Sequence, residues 1–310
     1  MTPAGPPDLR VSFAGIDLKN PVIAASGTFG YGIEFEDIVH LEKLGGFVVK
    51  GLSKEPMTGN PPPRLFETPA GMLNAIGLQN IGARAFLEEK LPALRAKKDI
   101  VVFANVFGYT RPDYERVIEI LNEGEGIAAY ELNVSCPNTA QGGIQFGSDP
   151  HLLDEVVRTA KRTARRPLIV KLSPNVTSIA QMARVAEEAG ADALSLVNTF
   201  LAMAIDAETR RPRIANVTAG LSGPAIKPIA LRMVYDAAHS VKIPVIGMGG
   251  ITRAVDVIEF MLAGACAVQV GTASYFDPVA TETLVDELAG YCRERRIQKI
   301  REVTGGMLTD

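Results

Sequence analysis

Tryptophan is absent from this 310-residue chain, and histidine and cysteine occur only three times each. The cysteines, Cys136, Cys266 and Cys292, are odd in number, lie far apart and form no C-x-x-C pair. That pattern argues against a disulfide framework and against a zinc or iron–sulfur site, and it fits a reducing cytosol. His40, His151 and His239 fall on or beside helical patterns, outside every motif, so a histidine general base is not expected. No apolar run approaches the ~20 residues of a membrane span. Residues 1–10 are polar and proline-containing rather than a secretory signal, so a soluble, cytoplasmic protein is expected. A basic excess is missing as well: 32 Lys and Arg face 35 Asp and Glu, a net charge of −3 with no basic tail or stripe. Nucleic acid is therefore not expected as a partner.

What the chain does have is turns and short apolar runs. Its hydrophobic content of 47%, with 29 glycines and 20 prolines, suits a large α/β core. Eight β-branched or apolar runs read as strands: 22–25, 47–50, 100–106, 129–134, 168–171, 193–197, 245–248 and 267–270. Helix-periodic stretches alternate with them at 81–97, 112–122, 149–163, 178–189, 224–239, 252–262 and 281–295. Eightfold strand–helix alternation without a linker predicts a single (β/α)8 TIM barrel, one domain over residues 1–310. A doubly wound sheet is the alternative. Ala14-Gly15 between two short apolar segments predicts an amino-terminal β-hairpin that plugs the barrel's bottom. Segments 51–80 and 199–222 are inserted top loops, the second with a short strand pair.

The chemistry gathers at the carboxyl end of each strand. Strand one runs into Ser26-Gly27-Thr28, strand two ends in Lys50-Gly51, and strand three contains Asn105. Strand four supplies Asn133 and Cys136, strand five Lys171, and strand six Asn198-Thr199. Amides, hydroxyls and two lysines thus converge on one face, with no Asp or Glu expected among them. Such a face suits an anionic, hydrogen-bonding, flat ligand and lacks the carboxylates a divalent cation needs. Lys50 and Lys171 end apolar strands, where an unpaired ammonium is costly, so ligand contact is favoured over a snorkelling or paired lysine. Gly249-Gly250 and Gly271-Thr272 come directly after strands seven and eight. Glycines there serve tight turns equally well, but that place in a barrel favours a phosphate cradle. The GxGG at Gly247 lacks the acidic partner of a dinucleotide fingerprint.

One stretch carries more. Asn133-Val134-Ser135-Cys136-Pro137-Asn138 opens from a strand end into a glycine-bearing loop. A lone cysteine at such a place is ordinarily a small buried hydrophobe. Two carboxamides within six residues of it point instead to a flat polar ligand, since each amide offers donor and acceptor. The stretch resembles the catalytic loop of class 1 dihydroorotate dehydrogenases, soluble flavoproteins of pyrimidine synthesis. Gly71-Met72-Leu73-Asn74-Ala75-Ile76-Gly77-Leu78-Gln79-Asn80 and Gly220-Leu221-Ser222-Gly223-Pro224 resemble further segments of that family, and the resemblance spans the whole chain. By its own spacing Asn80 reads as a helix N-cap.

The resemblance implies an FMN whose phosphate rests on Gly223, Gly249, Gly250, Gly271 and Thr272. It places the flavin ring among Ser26, Lys50, Gly51, Asn105, Asn133, Lys171 and Val197. Dihydroorotate is implied to sit against Lys50, Asn74, Ala75, Ile76, Gly77 and Leu78, with Asn133, Asn138, Asn198 and Thr199 closing around it. Cys136 is implied as the base that takes a proton from C5 while a hydride leaves C6 for flavin N5. No metal enters. Gly220 to Pro228 and Met203-Ala204-Ile205-Asp206 look most like the 1B subclass, in which a partner subunit with FAD and a [2Fe–2S] cluster carries electrons to NAD. A heterotetramer around a barrel homodimer is then expected. Two departures, Phe200-Leu201-Ala202 after Asn198-Thr199 and Leu52-Ser53 after Gly51, alter loop detail only. The alternatives are a fumarate-linked 1A homodimer, a dihydropyrimidine-type flavin reductase, a flavin-free phosphate-binding isomerase or lyase, and a degenerate binding scaffold.

Overall fold

The computed structural model describes residues 5–135 and 146–309. Eight parallel strands close into a barrel in simple sequence order: β1 (Val22–Ala24), β2 (Gly46–Val48), β3 (Val102–Val106), β4 (Ile127–Asn133), β5 (Leu168–Lys171), β6 (Ala193–Leu196), β7 (Val245–Met248) and β8 (Ala267–Val270). Nearly every residue of these strands is buried, as expected for parallel strands covered on both faces. This is the TIM barrel expected from the alternation, and the doubly wound alternative falls with ring closure between β8 and β1.

The helices begin where side chains can take up their free N–H groups. Thr110 and Asp113 form a reciprocal capping box at α1 (Arg111–Asn122), Asp149 caps α2 (Pro150–Thr163), and Ser178 caps α3 (Ile179–Glu188). α4 (Lys227–Ala238), α5 (Ala254–Leu262) and α6 (Ala280–Arg295) complete the outer ring among the described residues. The expected helix 81–97 is shorter and irregular. It starts at Ala83 after Gly82, turns π-helical over Phe86–Lys90, and ends at Arg95. Pro92 lacks the N–H that an unbroken α ladder would need there. Asn80 is not its N-cap; its side chain accepts from Gly82 N and from Ser53, bracing the loop instead.

Positive φ at Ala14 (49°) and Gly15 (77°) closes the amino-terminal hairpin Val11–Phe13 and Ile16–Leu18, the two-residue turn that matches strand twist. Phe13 stacks on Phe103, near the amino end of β3, at 6.2 Å. Gly46 makes room there, since a Cβ on it would come within 2.8 Å of the Phe103 ring.

The two top insertions are not separate loops. Phe200–Met203, Thr218–Ser222, Gly71–Asn74 and Leu65–Thr68 pair, in that order, into one antiparallel sheet. Its one face buries Leu73, Ala75, Ile214 and Ala219 in a second small core. The sheet stands beside the carboxyl ends of the barrel strands and carries Asn74 to them.

Phe103 is 1% exposed and lies between hairpin and barrel. Phe103→Ala is expected to cost about 3–5 kcal/mol, the usual result of emptying a packed aromatic site. Urea denaturation of the two proteins measures it; a loss under about 1 kcal/mol would contradict this packing.

Candidate active site

One cavity opens at the carboxyl ends of the barrel strands, and nearly all the residues expected there line it. From the first two strands come Ser26, whose hydroxyl donates to Val49 O (2.8 Å), then Lys50 and Gly51. The top sheet adds Asn74, with Ile76, Gly77 and Leu78 after it in the chain. Asn74 is oriented by its Nδ2, which donates to Gly220 O (3.3 Å). Ala75 is the exception in this run. It is fully buried in the small core, with its N–H given to Arg64 O and its carbonyl taken by Asn60.

β4, β5 and β6 form the opposite wall. Asn133 pairs in register with Lys171. Its Oδ1 accepts from Ser135 N (3.2 Å) and from Asn198 Nδ2 (3.4 Å). Val197, Asn198 and Thr199 come after β6, with Thr199 N–H held by Asn198 Oδ1 at 2.9 Å. Cys136 and Asn138 lie outside the described residues. Ser135, immediately before Cys136, lines the cavity.

Gly223, Gly249, Gly250, Gly271 and Thr272 gather at the remaining side, Thr272 donating to Ser222 Oγ at 2.8 Å. Among the described residues the backbone N–H groups of Gly250, Gly271 and Thr272 have no acceptor. Gly250, at φ 73°, is required by the fold itself, since a Cβ would meet Gly223 O at 2.8 Å. Gly271 is different. Its φ is ordinary, and a Cβ would meet nothing closer than 3.5 Å, so protein packing gives no reason for glycine there. Close approach of a ligand does. Lys227, whose backbone packs against Gly250, is already committed to Asp256 and Glu259; burial opposes its charge, but the two carboxylates hold it above the usual lysine range. A phosphate here meets unpaired amides rather than a spare cation.

Beneath the cavity lies a further departure from expectation. A carboxylate does stand with the amides and lysines: Glu131, two residues before Asn133 and on the same face of β4, is fully buried. It accepts from Asn105 Nδ2 (2.7 Å), Ser195 Oγ (2.9 Å) and Gln269 Nε2, and Lys171 Nζ stands 3.8 Å away. Asn105 therefore sits in the wall below Gly51 rather than on the cavity surface. Asn105 Oδ1 and Gln269 Oε1 are left buried without a partner among the described residues. Each such oxygen costs about 1–3 kcal/mol unless a ligand donor reaches it. Sequence reasoning missed Glu131, Gln269 and Ser195 because each sits inside a run that reads as plain apolar strand. The available signal was period-two spacing from Asn133 back to Glu131.

Among the described residues the site gathers no group of three or more His, Cys, Asp or Glu that could hold a metal ion. It fits a phosphorylated, planar heterocycle: unpaired amides for the phosphate, and orphaned acceptors beside an ammonium for a ring bearing N–H and C=O. FMN has both parts. Cys266 and Cys292 are free thiols. Burial pushes the Cys266 thiol up to about 12 and raises that of Cys292, so neither supplies thiolate at neutral pH. Among the described residues no helix is long and apolar enough to cross a membrane.

The family model described as dihydroorotate dehydrogenase matches residues 8–291. A Solibacter usitatus protein, named provisionally as dihydroorotate dehydrogenase A (fumarate), is 62% identical over 96% of this chain and 98% of its own. The dihydroorotate dehydrogenase B (NAD(+)) catalytic subunit of Geotalea uraniireducens is 55% identical over 98% of this chain and 100% of its own. That of Citrifermentans bemidjiense, with the same name, is 54% identical over 97% and 98%. With the barrel, the phosphate corner and the amide-lined mouth in place, the chain belongs to the dihydroorotate dehydrogenase family.

Proposed function

We propose that this chain is the FMN-containing catalytic subunit of an NAD-linked dihydroorotate dehydrogenase, oxidising dihydroorotate to orotate in pyrimidine biosynthesis in the cytoplasm. The observation that carries the reading is the convergence of Lys50, Lys171, Asn74, Asn133 and Asn198 on a single mouth beside unpaired backbone amides. A flavin-free isomerase or lyase would use the phosphate corner but has no need for these three asparagines, nor for acceptors that wait for ring N–H groups.

FMN, when bound, supplies the acceptor for the hydride leaving C6. Gly223, Gly249, Gly250, Gly271 and Thr272 hold its phosphate, while Ser26, Gly51, Lys171 and Val197 surround its ring, with Asn105 behind Gly51. Asn74, Asn133, Asn138, Asn198 and Thr199, with backbone of residues 75–78, hold the pyrimidine ring between donors and acceptors. Lys50 faces its carboxylate. Cys136 as thiolate removes the C5 proton, a role for which burial disfavours Cys266 and Cys292.

Three scattered cysteines cannot ligate an iron–sulfur cluster, so electrons bound for NAD leave through a second protein carrying FAD and [2Fe–2S]. The relatives named as catalytic subunits support such a partner. Leu65, Leu201, Met203, Ile205 and Val217 expose large apolar side chains on and beside the top sheet. They offer contact area for a barrel homodimer at the centre of a heterotetramer. The Solibacter relative favours a second reading, a homodimer that reduces fumarate directly.

Purified chain is expected to be yellow and to reduce its flavin with dihydroorotate. Turnover with NAD is expected only when the FAD/iron–sulfur subunit is present; rapid fumarate reduction by the isolated chain would establish the second reading. Cys136→Ala should slow flavin reduction by roughly two to four orders of magnitude with FMN still bound, measured by stopped-flow absorbance. Unchanged reduction would remove Cys136 from the role of base. Gly271→Ala should leave the flavin-free chain as stable as the parent while weakening FMN roughly tenfold, about 1.4 kcal/mol, by fluorescence titration. Equal FMN affinity would place the phosphate elsewhere.

A further inference from the structure

The carboxylate under the cavity has no part in the reaction described above, yet its geometry dictates what the cavity presents. The Glu131 carboxyl oxygens accept from Asn105 Nδ2, Ser195 Oγ and Gln269 Nε2, so each of these groups faces it with a donor. Asn105 from β3 and Gln269 from β8, across the barrel, therefore turn their NH2 groups to Glu131 and their carbonyl oxygens away. Those two oxygens are the buried, unpartnered atoms. Gln269 lines the cavity directly, and Asn105 Oδ1 lies against Gly51 in its wall, 2.8 Å from where a Cβ on that glycine would stand. Lys171 Nζ, 3.8 Å from Glu131, is beyond hydrogen-bond length from it and makes no hydrogen bond among the described residues. The floor thus offers one fixed acceptor, Gln269 Oε1, beside the Lys171 ammonium, with the Asn105 oxygen behind Gly51 in the wall.

We propose that Glu131 is a positioning residue for the flavin ring: it locks the Gln269 and Asn105 carboxamides with their oxygens outward, so that Gln269 Oε1 receives a ring N–H while Lys171 meets the neighbouring ring carbonyl. This rests on the FMN reading and adds a residue pair to it. Without the carboxylate either amide can rotate by half a turn and present NH2 where the ring also presents N–H. The donor and acceptor order of the floor is then lost although its shape is kept. Glu131 touches neither cofactor nor substrate in this account and acts only through Gln269, Asn105 and Lys171.

The test uses Glu131→Gln and Gln269→Met, each stripped of flavin and titrated with FMN and with 3-methyl-FMN, whose ring N–H is replaced by N–CH3. The native protein is expected to prefer FMN by roughly tenfold or more, the value of one buried hydrogen bond. In both variants FMN should bind roughly tenfold more weakly, and the preference over 3-methyl-FMN should fall to about threefold or less. The bound flavin's visible band should shift in both. A merely structural role for Glu131 would lower the melting temperature without moving the ratio between the two flavins. If Glu131→Gln does not fold, Gln269→Met carries the test alone, because it leaves the carboxylate in place. A native preference for FMN that persists unchanged in the variants overturns the positioning role while leaving the flavin site intact. Failure of native protein to bind either flavin overturns the cofactor reading instead.

Discussion

A carboxylate without solvent is the constraint on which the upper barrel depends. Removing such a group from water costs on the order of several kcal/mol unless donors and an opposite charge replace the water. Glu131 obtains them from four other strands: Asn105 on β3, Lys171 on β5, Ser195 on β6 and Gln269 on β8. Barrels of this kind usually fill that space with branched apolar side chains. Here the lower layers remain apolar, with Phe13 and Phe103 at the amino end, and polarity begins only where the cavity begins. The change of layer chemistry along the barrel axis marks the face on which a polar ligand binds.

The same economy governs the phosphate corner. Lys227, the lysine packed against Gly250, is neutralised by Asp256 and Glu259, and Asp256 also takes the N–H groups of Thr252 and Arg253 at the start of α5. What remains for a phosphate is a set of backbone amides with fixed direction. Amides held by the fold bind an anion without needing to be reorganised when it arrives. Charge is reserved for the ring end, where Lys50 and Lys171 stand, and there a change in the charge of ligand or cofactor can be felt.

Much of this was legible in the sequence, because it is local. Eight apolar runs and the helices between them give the barrel, and strand-end positions alone place Ser26, Lys50, Lys171, Asn198 and the glycines at one mouth. The rest depends on pairings between residues far apart in the chain. Strands 65–74 and 200–222 form one sheet through contacts nearly 150 residues apart, such as Asn74 with Gly220, and nothing local announces which insertion pairs with which. Ala75 shows the same limit: adjacent to Asn74, it faces the other side of that sheet. Glu131 was hidden because a carboxylate between Tyr130 and Leu132 gives no hint that Gln269, 138 residues on, will meet it.

The electron acceptor is harder to read than the substrate for a physical reason. Ring recognition is settled inside the cavity, where each donor and acceptor is fixed by the barrel, and relatives with different acceptor names share this chain's sequence to 62% and 55%. Under the proposed reading, acceptor choice is settled outside it. A small oxidant must enter the same mouth as the pyrimidine, whereas a protein partner needs only a docking surface and a short path to the ring. Surface positions such as Leu201, Met203 and Ile205 can change without disturbing a single buried hydrogen bond of the floor. The two functions of the molecule are thus written in different parts of it, and only the first is constrained by the buried carboxylate and the amides it turns.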